Sequence, residues 1–170
     1  MKETIIPDIS VMDNFFNEKE LHILQGNLNK INFRNAQNQN GTYGFSHDFE
    51  ENKNNKWLYD KIKNVFFPNF NFKVMESAFR LRHNQKEVLY HIDAAPGMEY
   101  NFICYLKGEE LMYNGTGFYN YKSDLDRYIG FVKNRALFFK GSKIYHADLQ
   151  ALGPSSPRYS VNIFYKDEGK

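Results

Sequence analysis

From Phe72 to Tyr165 the chain is a succession of short runs rich in aromatic and β-branched residues, cut by turn signals. No other feature constrains the fold as much. The runs cover residues 75–81, 88–92, 100–106, 117–121, 128–132, 136–139 and 159–165. Asn114-Gly115 adds a hairpin signal. Seven candidate strands with no helical period between them predict a β sandwich or barrel.

The first part of the chain reads differently. Residues 5–11 predict an opening strand. Asn17-Glu18-Lys19-Glu20 has the form of a helix start, with Leu21, Leu24 and Leu28 on one face behind it. Residues 35–43 (NAQNQNGTY) predict a surface loop. Residues 57–66 predict a second helix, with Trp57, Ile62 and either Val65 or Phe66 inward, ended by Pro68. The expectation is one α+β domain over 1–170, mainly β, with a strand and helices over about 1–70 and a β core over about 72–166.

Composition narrows the function. Apolar residues make up 42%, enough for a real core. With 22 basic against 20 acidic residues, the chain lacks the charge excess that nucleic-acid binding calls for. No apolar stretch is long enough to span a bilayer, and Met1 to Pro7 lacks the pattern of a signal peptide. A single cysteine, Cys104, makes no intrachain disulfide and suits a reducing compartment, so a cytoplasmic location is expected. Cys104 itself reads as a small buried hydrophobe on the face opposite Tyr105.

Three features of the β half carry chemistry. His91-Ile92-Asp93 closes the run at 88–92, His146 follows the apolar run at 136–139, and Arg158 opens the last strand, with Ser160 and Asn162 on its face. Residues two apart on a strand point the same way, so an imidazole and a carboxylate there can grip one metal ion. A second imidazole completes a 2-His-1-carboxylate face, which suits non-haem Fe(II) and leaves positions open. A His-x-Asp pair alone equally fits a strand-end histidine bonded to a surface aspartate, and His146-Ala147-Asp148 is a rival pair. An inward Arg158 needs an anion, and its planar fork matches a carboxylate, whereas an outward one needs nothing.

Taken together these residues resemble the Fe(II)- and 2-oxoglutarate-dependent dioxygenases, and among them the prolyl-hydroxylase-like branch. The matching text is Tyr90-His91-Ile92-Asp93, Phe102 to Lys107, Asn114-Gly115-Thr116-Gly117, Asn134 to Phe139, His146 and Arg158-Tyr159-Ser160, with Val11 to Phe16 similar to the family's usual start. The resemblance implies a double-stranded β-helix (jelly roll) core with flanking N-terminal helices. It implies Fe(II) on His91, Asp93 and His146, and 2-oxoglutarate held by Arg158 and Tyr105, with Ser160 and Asn162 lining the pocket. Further requirements would be O2 and, as an accessory reductant, ascorbate. The reaction would couple decarboxylation of 2-oxoglutarate to hydroxylation of a peptide side chain or a small molecule. The chain departs from the family pattern where Thr116 breaks a paired glycine, where the His146–Arg158 gap is long, and where Arg80 and Arg82 stand in place of a Tyr. Two alternatives fit the same residues: a non-enzymatic jelly-roll binding module, and a cupin-like metalloenzyme with another cosubstrate. His22 reads as solvent-facing on the first helix, His47-Asp48 sits in a polar loop as a minor candidate for substrate contact, and His83 lacks a partner at ligand spacing. Asp124 to Arg127 reads as a solvated connection.

Overall fold

A computed structural model describes residues 8–38, 41–49, 55–82, 85–120 and 124–169. The chain runs β1 (Ile9–Met12), α1 (Glu18–Leu28), β2 (Arg34–Asn38), β3 (Gly41–Asp48), α2 (Lys56–Phe66), β4 (Phe72–Arg82), β5 (Tyr100–Lys107), β6 (Thr116–Asn120), β7 (Asp124–Ile129), β8 (Ala136–Phe139), β9 (Tyr145–Asp148) and β10 (Arg158–Asp167). Seven strands form one sheet in the order β1-β8-β5-β10-β4-β3-β2, and three form a second in the order β7-β6-β9. All the pairings are antiparallel. The architecture is mainly β, a jelly roll with two helices against it.

Period-two patterning sorts the large sheet into two faces. Tyr100, Phe102, Cys104 and Leu106 of β5, with Val161, Ile163 and Tyr165 of β10, pack under the helices. Ile103, Tyr105, Leu137 and Phe139 point the other way, into the roll, where they meet Phe118 and Phe131. Buried on both faces, Phe102 to Leu106 of β5 therefore read as an unbroken apolar run. The helix side is densely aromatic: Phe138 stacks on Phe66 and Tyr100 at 5.4 and 5.7 Å and lies 5.1 Å from Phe67.

The helices form where local chemistry favours them. Asn17 caps α1 through a reciprocal pair with Glu20, and Leu24 and Leu28 are buried. Helix α2 buries Leu58, Tyr59 and Ile62, while Trp57 and Phe66 are half-buried and Val65 faces water. Asn134, at φ 66°, holds the entering chain: its side chain accepts from Phe16 N and donates to Phe16 O. Beside it Arg135 grips Asp13 with two bonds. The Asn-Arg text at 134–135 is thus a tie for the N-terminal segment.

Four expectations are overturned. Of the loop expected at 35–43, residues 35–38 and 41–43 belong instead to the paired strands β2 and β3. A polar sequence there is compatible with β2 because it is the edge of its sheet. Residues 88–92 form no strand; only His91 pairs, in an isolated bridge with His146. Asn114-Gly115 does not turn a hairpin but ends a 3-10 turn at Met112–Asn114. The segment at 128–132 shifts to β7, so Asp124 to Arg127 are strand residues, exposed because β7 is an edge. The opening strand begins at Ile9, and residues 5–7 lie outside the described ones.

Candidate metal centre and active site

His91, Asp93 and His146 come from two segments. His146 sits inside β9, and its backbone N–H and C=O exchange both hydrogen bonds with His91. This single bridge does what the expected strand would have done. Asp93 N donates to Gly141 O at 2.9 Å, which draws the carboxylate back over the end of β8. A Cβ on Gly141 would stand 1.9 Å from Asp93 Oδ2 and would push the carboxylate out of this position.

The three side chains converge. One ligand atom from each lies within 4.8 Å of those of the other two. His91 Nε2 is 3.7 Å from Asp93 Oδ1, and His146 Nε2 is 3.6 Å from Asp93 Oδ2. Ligands sharing one metal at ordinary bond lengths stand ~3–3.6 Å apart. Each Nδ1 meets a carbonyl, Leu89 O at 2.8 Å and Ile144 O at 2.9 Å. A carbonyl accepts only, so Nδ1 carries the proton and Nε2 presents its lone pair inward. Asp93 Oδ2 is buried with no hydrogen-bond donor. A carboxylate facing two bare imidazole nitrogens is short of a cation, and the donor set fits iron. Burial holds the His146 ring below the usual histidine range, against the pull of Asp93, which keeps it unprotonated and ready to ligate. His91 is 56% exposed on its side chain and Asp93 8%, so the cluster opens on one side.

It opens into a cavity of about 330 Å³, walled by Arg80 and Arg82 of β4, Asn101 and Ile103 of β5, Thr116 of β6, Asp148 of β9 and Asn162 of β10. Of the residues assigned to 2-oxoglutarate, only Asn162 lines this cavity. Its Oδ1 accepts from Ser160 Oγ at 2.7 Å. Tyr105 lies behind Thr116 and bonds its Oγ1 at 2.7 Å; burial pushes the phenol up to about 12. Arg158 lies behind Asp148. It donates to Asp148, and through Nη1 to Asn114 O at 2.8 Å and Gly115 O at 3.0 Å. Its guanidinium also stacks over the Tyr105 ring, 5.3 Å from the centroid.

Asp148, the rival carboxylate, is thus turned away from the imidazoles and onto cations. Burial disfavours its charge, but Arg158 and Arg82 outweigh that and hold its carboxyl well below the usual range. Arg80 pairs with Glu76 on the same wall. Sequence reading missed Gly141, Asn101 and Thr116 as site residues. The turn signal Gly141-Ser142 straight after an apolar run was the one hint for Gly141. His22 is exposed on α1, His83 lies outside the described residues, and the side chains of His47 and Asp48 do too.

No family model and no curated protein matches the sequence. Solved structures do match the fold. A prolyl hydroxylase from Trichoplax adhaerens, in complex with a hypoxia inducible factor peptide fragment, superposes with a TM-score of 0.70 at 15% identity, covering 95% of this chain and 84% of that one. A 2OG-Fe(II) oxygenase family oxidoreductase from Burkholderia pseudomallei gives 0.69 at 10% identity, over 94% and 85%. A prolyl-4-hydroxylase from Pseudomonas putida gives 0.68 at 12% identity, over 95% and 94%. The chain has the double-stranded β-helix fold of the 2-oxoglutarate- and Fe(II)-dependent oxygenases, and prolyl hydroxylases are among the proteins it resembles.

Proposed function

We propose that residues 1–170 form one iron oxygenase domain that couples decarboxylation of 2-oxoglutarate to hydroxylation of a peptide side chain or small molecule. His91, Asp93 and His146 would supply three ligands on one side of the metal and leave the cavity side free for cosubstrate and oxygen. The metal would supply the activation of oxygen, for which no side chain has the electrons. The protein's share is placement and exclusion of water. Leu89 O and Ile144 O fix the imidazole tautomers. Gly141 makes room for the carboxylate. Arg158, supported by Tyr105, is the cationic end for the cosubstrate's distal carboxylate, with Ser160 and Asn162 along the same strand. The phenol of Tyr105 stays protonated at any working pH and acts as a hydrogen-bonding group, not a base. Ascorbate would serve only to restore the ferrous state.

The observation that supports this reading above all is the Asp93 carboxylate: its Oδ2, buried without a donor, faces His146 Nε2, and its Oδ1 faces His91 Nε2. Among the described residues no helix is long and apolar enough to cross a membrane. Cytoplasmic action is part of the proposal, in keeping with a lone buried thiol. The test is succinate formation from 2-oxoglutarate. It should need Fe(II) and vanish in His146→Ala. Undiminished turnover by that variant would reject the assignment. Tight metal binding with no response to any 2-oxo acid would favour a cupin-like enzyme with another cosubstrate. No metal binding at all would leave a binding module.

A further inference from the structure

Arg82 and Arg158 lie directly opposite one another on the adjacent strands β4 and β10. Like charges so placed repel unless an anion stands between them. Asp148 provides it from the second sheet. Its Oδ2 accepts from Arg82 Nε at 2.8 Å, and its Oδ1 accepts from Arg158 Nη2. Arg158 is almost wholly enclosed, with 3% of its side chain exposed.

How the Arg158 guanidinium is used matters. Nη1 is spent on two backbone carbonyls. Nε and Nη2 together form the edge that grips a carboxylate with two parallel bonds. Asp148 fills half of that edge, because its other oxygen is committed to Arg82. Arg158 Nε is buried and has no acceptor. Asp148 also lines the cavity, whereas Arg158 stands behind it. The fork is therefore half-filled and covered by a carboxylate of the protein itself.

We propose that Asp148 is a resident competitor for the distal carboxylate of the cosubstrate, and thereby sets affinity and selectivity for dicarboxylic 2-oxo acids. This rests on the proposed function. An incoming carboxylate takes the Nε–Nη2 edge of Arg158, and Asp148 withdraws onto Arg82, which walls the same cavity. One acid shared by two guanidiniums becomes one acid on each. A 2-oxo acid with no second carboxylate has nothing to exchange for Asp148, so it leaves the pairing as it is.

The test is calorimetric titration of 2-oxoglutarate, and separately of 2-oxobutanoate, into oxygen-free, Mn(II)-loaded protein. Asp148→Asn keeps the shape and removes the competing charge. It should bind 2-oxoglutarate about tenfold tighter, the scale set by close charge pairs, with 2-oxobutanoate unchanged. Equal or weaker binding of 2-oxoglutarate by the variant would mean that Asp148 merely orients Arg158, and would overturn the proposal. If Mn(II) binds but neither protein takes 2-oxoglutarate, the oxygenase reading fails and this inference falls with it. Should Asp148→Asn not fold, Arg82→Gln carries the test. With no second partner Asp148 closes on Arg158, and 2-oxoglutarate affinity falls about tenfold, with 2-oxobutanoate unchanged. Equal or tighter binding of 2-oxoglutarate by Arg82→Gln would likewise overturn the proposal.

Discussion

Replacing Asp93 with Asn should have opposite effects with and without metal. In the metal-free protein the carboxylate is 8% exposed, and its Oδ2 has no donor. The ring nitrogens that face it present lone pairs, His146 Nε2 at 3.6 Å from Oδ2 and His91 Nε2 at 3.7 Å from Oδ1. A buried acceptor left so costs ~1–3 kcal/mol. An amide of the same shape can donate to one of those nitrogens, so Asp93→Asn should stabilise the metal-free protein by about 1 kcal/mol. In a chain of this size that raises the melting temperature by ~2–4 °C. With Mn(II) at a hundred times its dissociation constant, the parent gains ~2.7 kcal/mol, and the variant should gain under half of that. The two proteins therefore exchange rank. Circular dichroism melts in EDTA and then in Mn(II), at about pH 8 and so above the ordinary imidazole range, read this directly. A variant that loses more than ~2 kcal/mol in EDTA would show that Asp93 is a structural group. Equal stabilisation of both by Mn(II) would remove it from the metal site.

Gly141→Ala should leave the circular dichroism spectrum unchanged yet cut the Mn(II)-induced shift, because its methyl would occupy the space of Asp93 Oδ2; an undiminished shift would refute the packing argument. Phe138→Ala removes the ring at the centre of the aromatic layer between helices and sheet, and should cost ~3–5 kcal/mol in urea unfolding; a loss under ~1 kcal/mol would show that the layer closes around the gap. The Asp13 carboxyl is held below its ordinary value chiefly by its hydrogen bond to Arg135. Its contribution is thus present above the unfolded value of 3.8 and fades as pH falls through the lower folded one. Being surface-exposed, it should amount to about 0.5–1 kcal/mol, and Asp13→Asn should lose that at pH 7 and little at pH 2–3; a pH-independent loss would refute it.

Much of the architecture was legible in the sequence for identifiable reasons. The strands at 72–82, 100–107, 136–139 and 158–167 are central in the large sheet or bury at least one face, and burial is what writes apolar runs into a sequence. The first helix carried its own start signal at Asn17, and the second showed an apolar helical period closed by Pro68. Illegible elements were those whose surroundings do not dictate composition. The edge strands β2 and β7 are polar, and the His91 bridge is one residue long. Asn114-Gly115 has the composition of a hairpin turn but serves instead to cradle Arg158. Gly115 is needed there because a Cβ would meet Ile129 O at 2.4 Å.

The site divides along the same line. Residue identity and order, weighed together with the family resemblance, pointed to His91, Asp93, His146 and Arg158. Spacing alone left Asp93 and Asp148 as rivals for the imidazoles. Asp93 and Asp148 stand equally close to a histidine in sequence, and the charge each one meets is decided by residues far along the chain. Packing of the two sheets brings Arg82 and Arg158 to Asp148 and the end of β8 to Asp93. Composition and local pattern determined what chemistry the chain carries; tertiary contacts decided which groups hold it, since an electrostatic partner is chosen by distance in space.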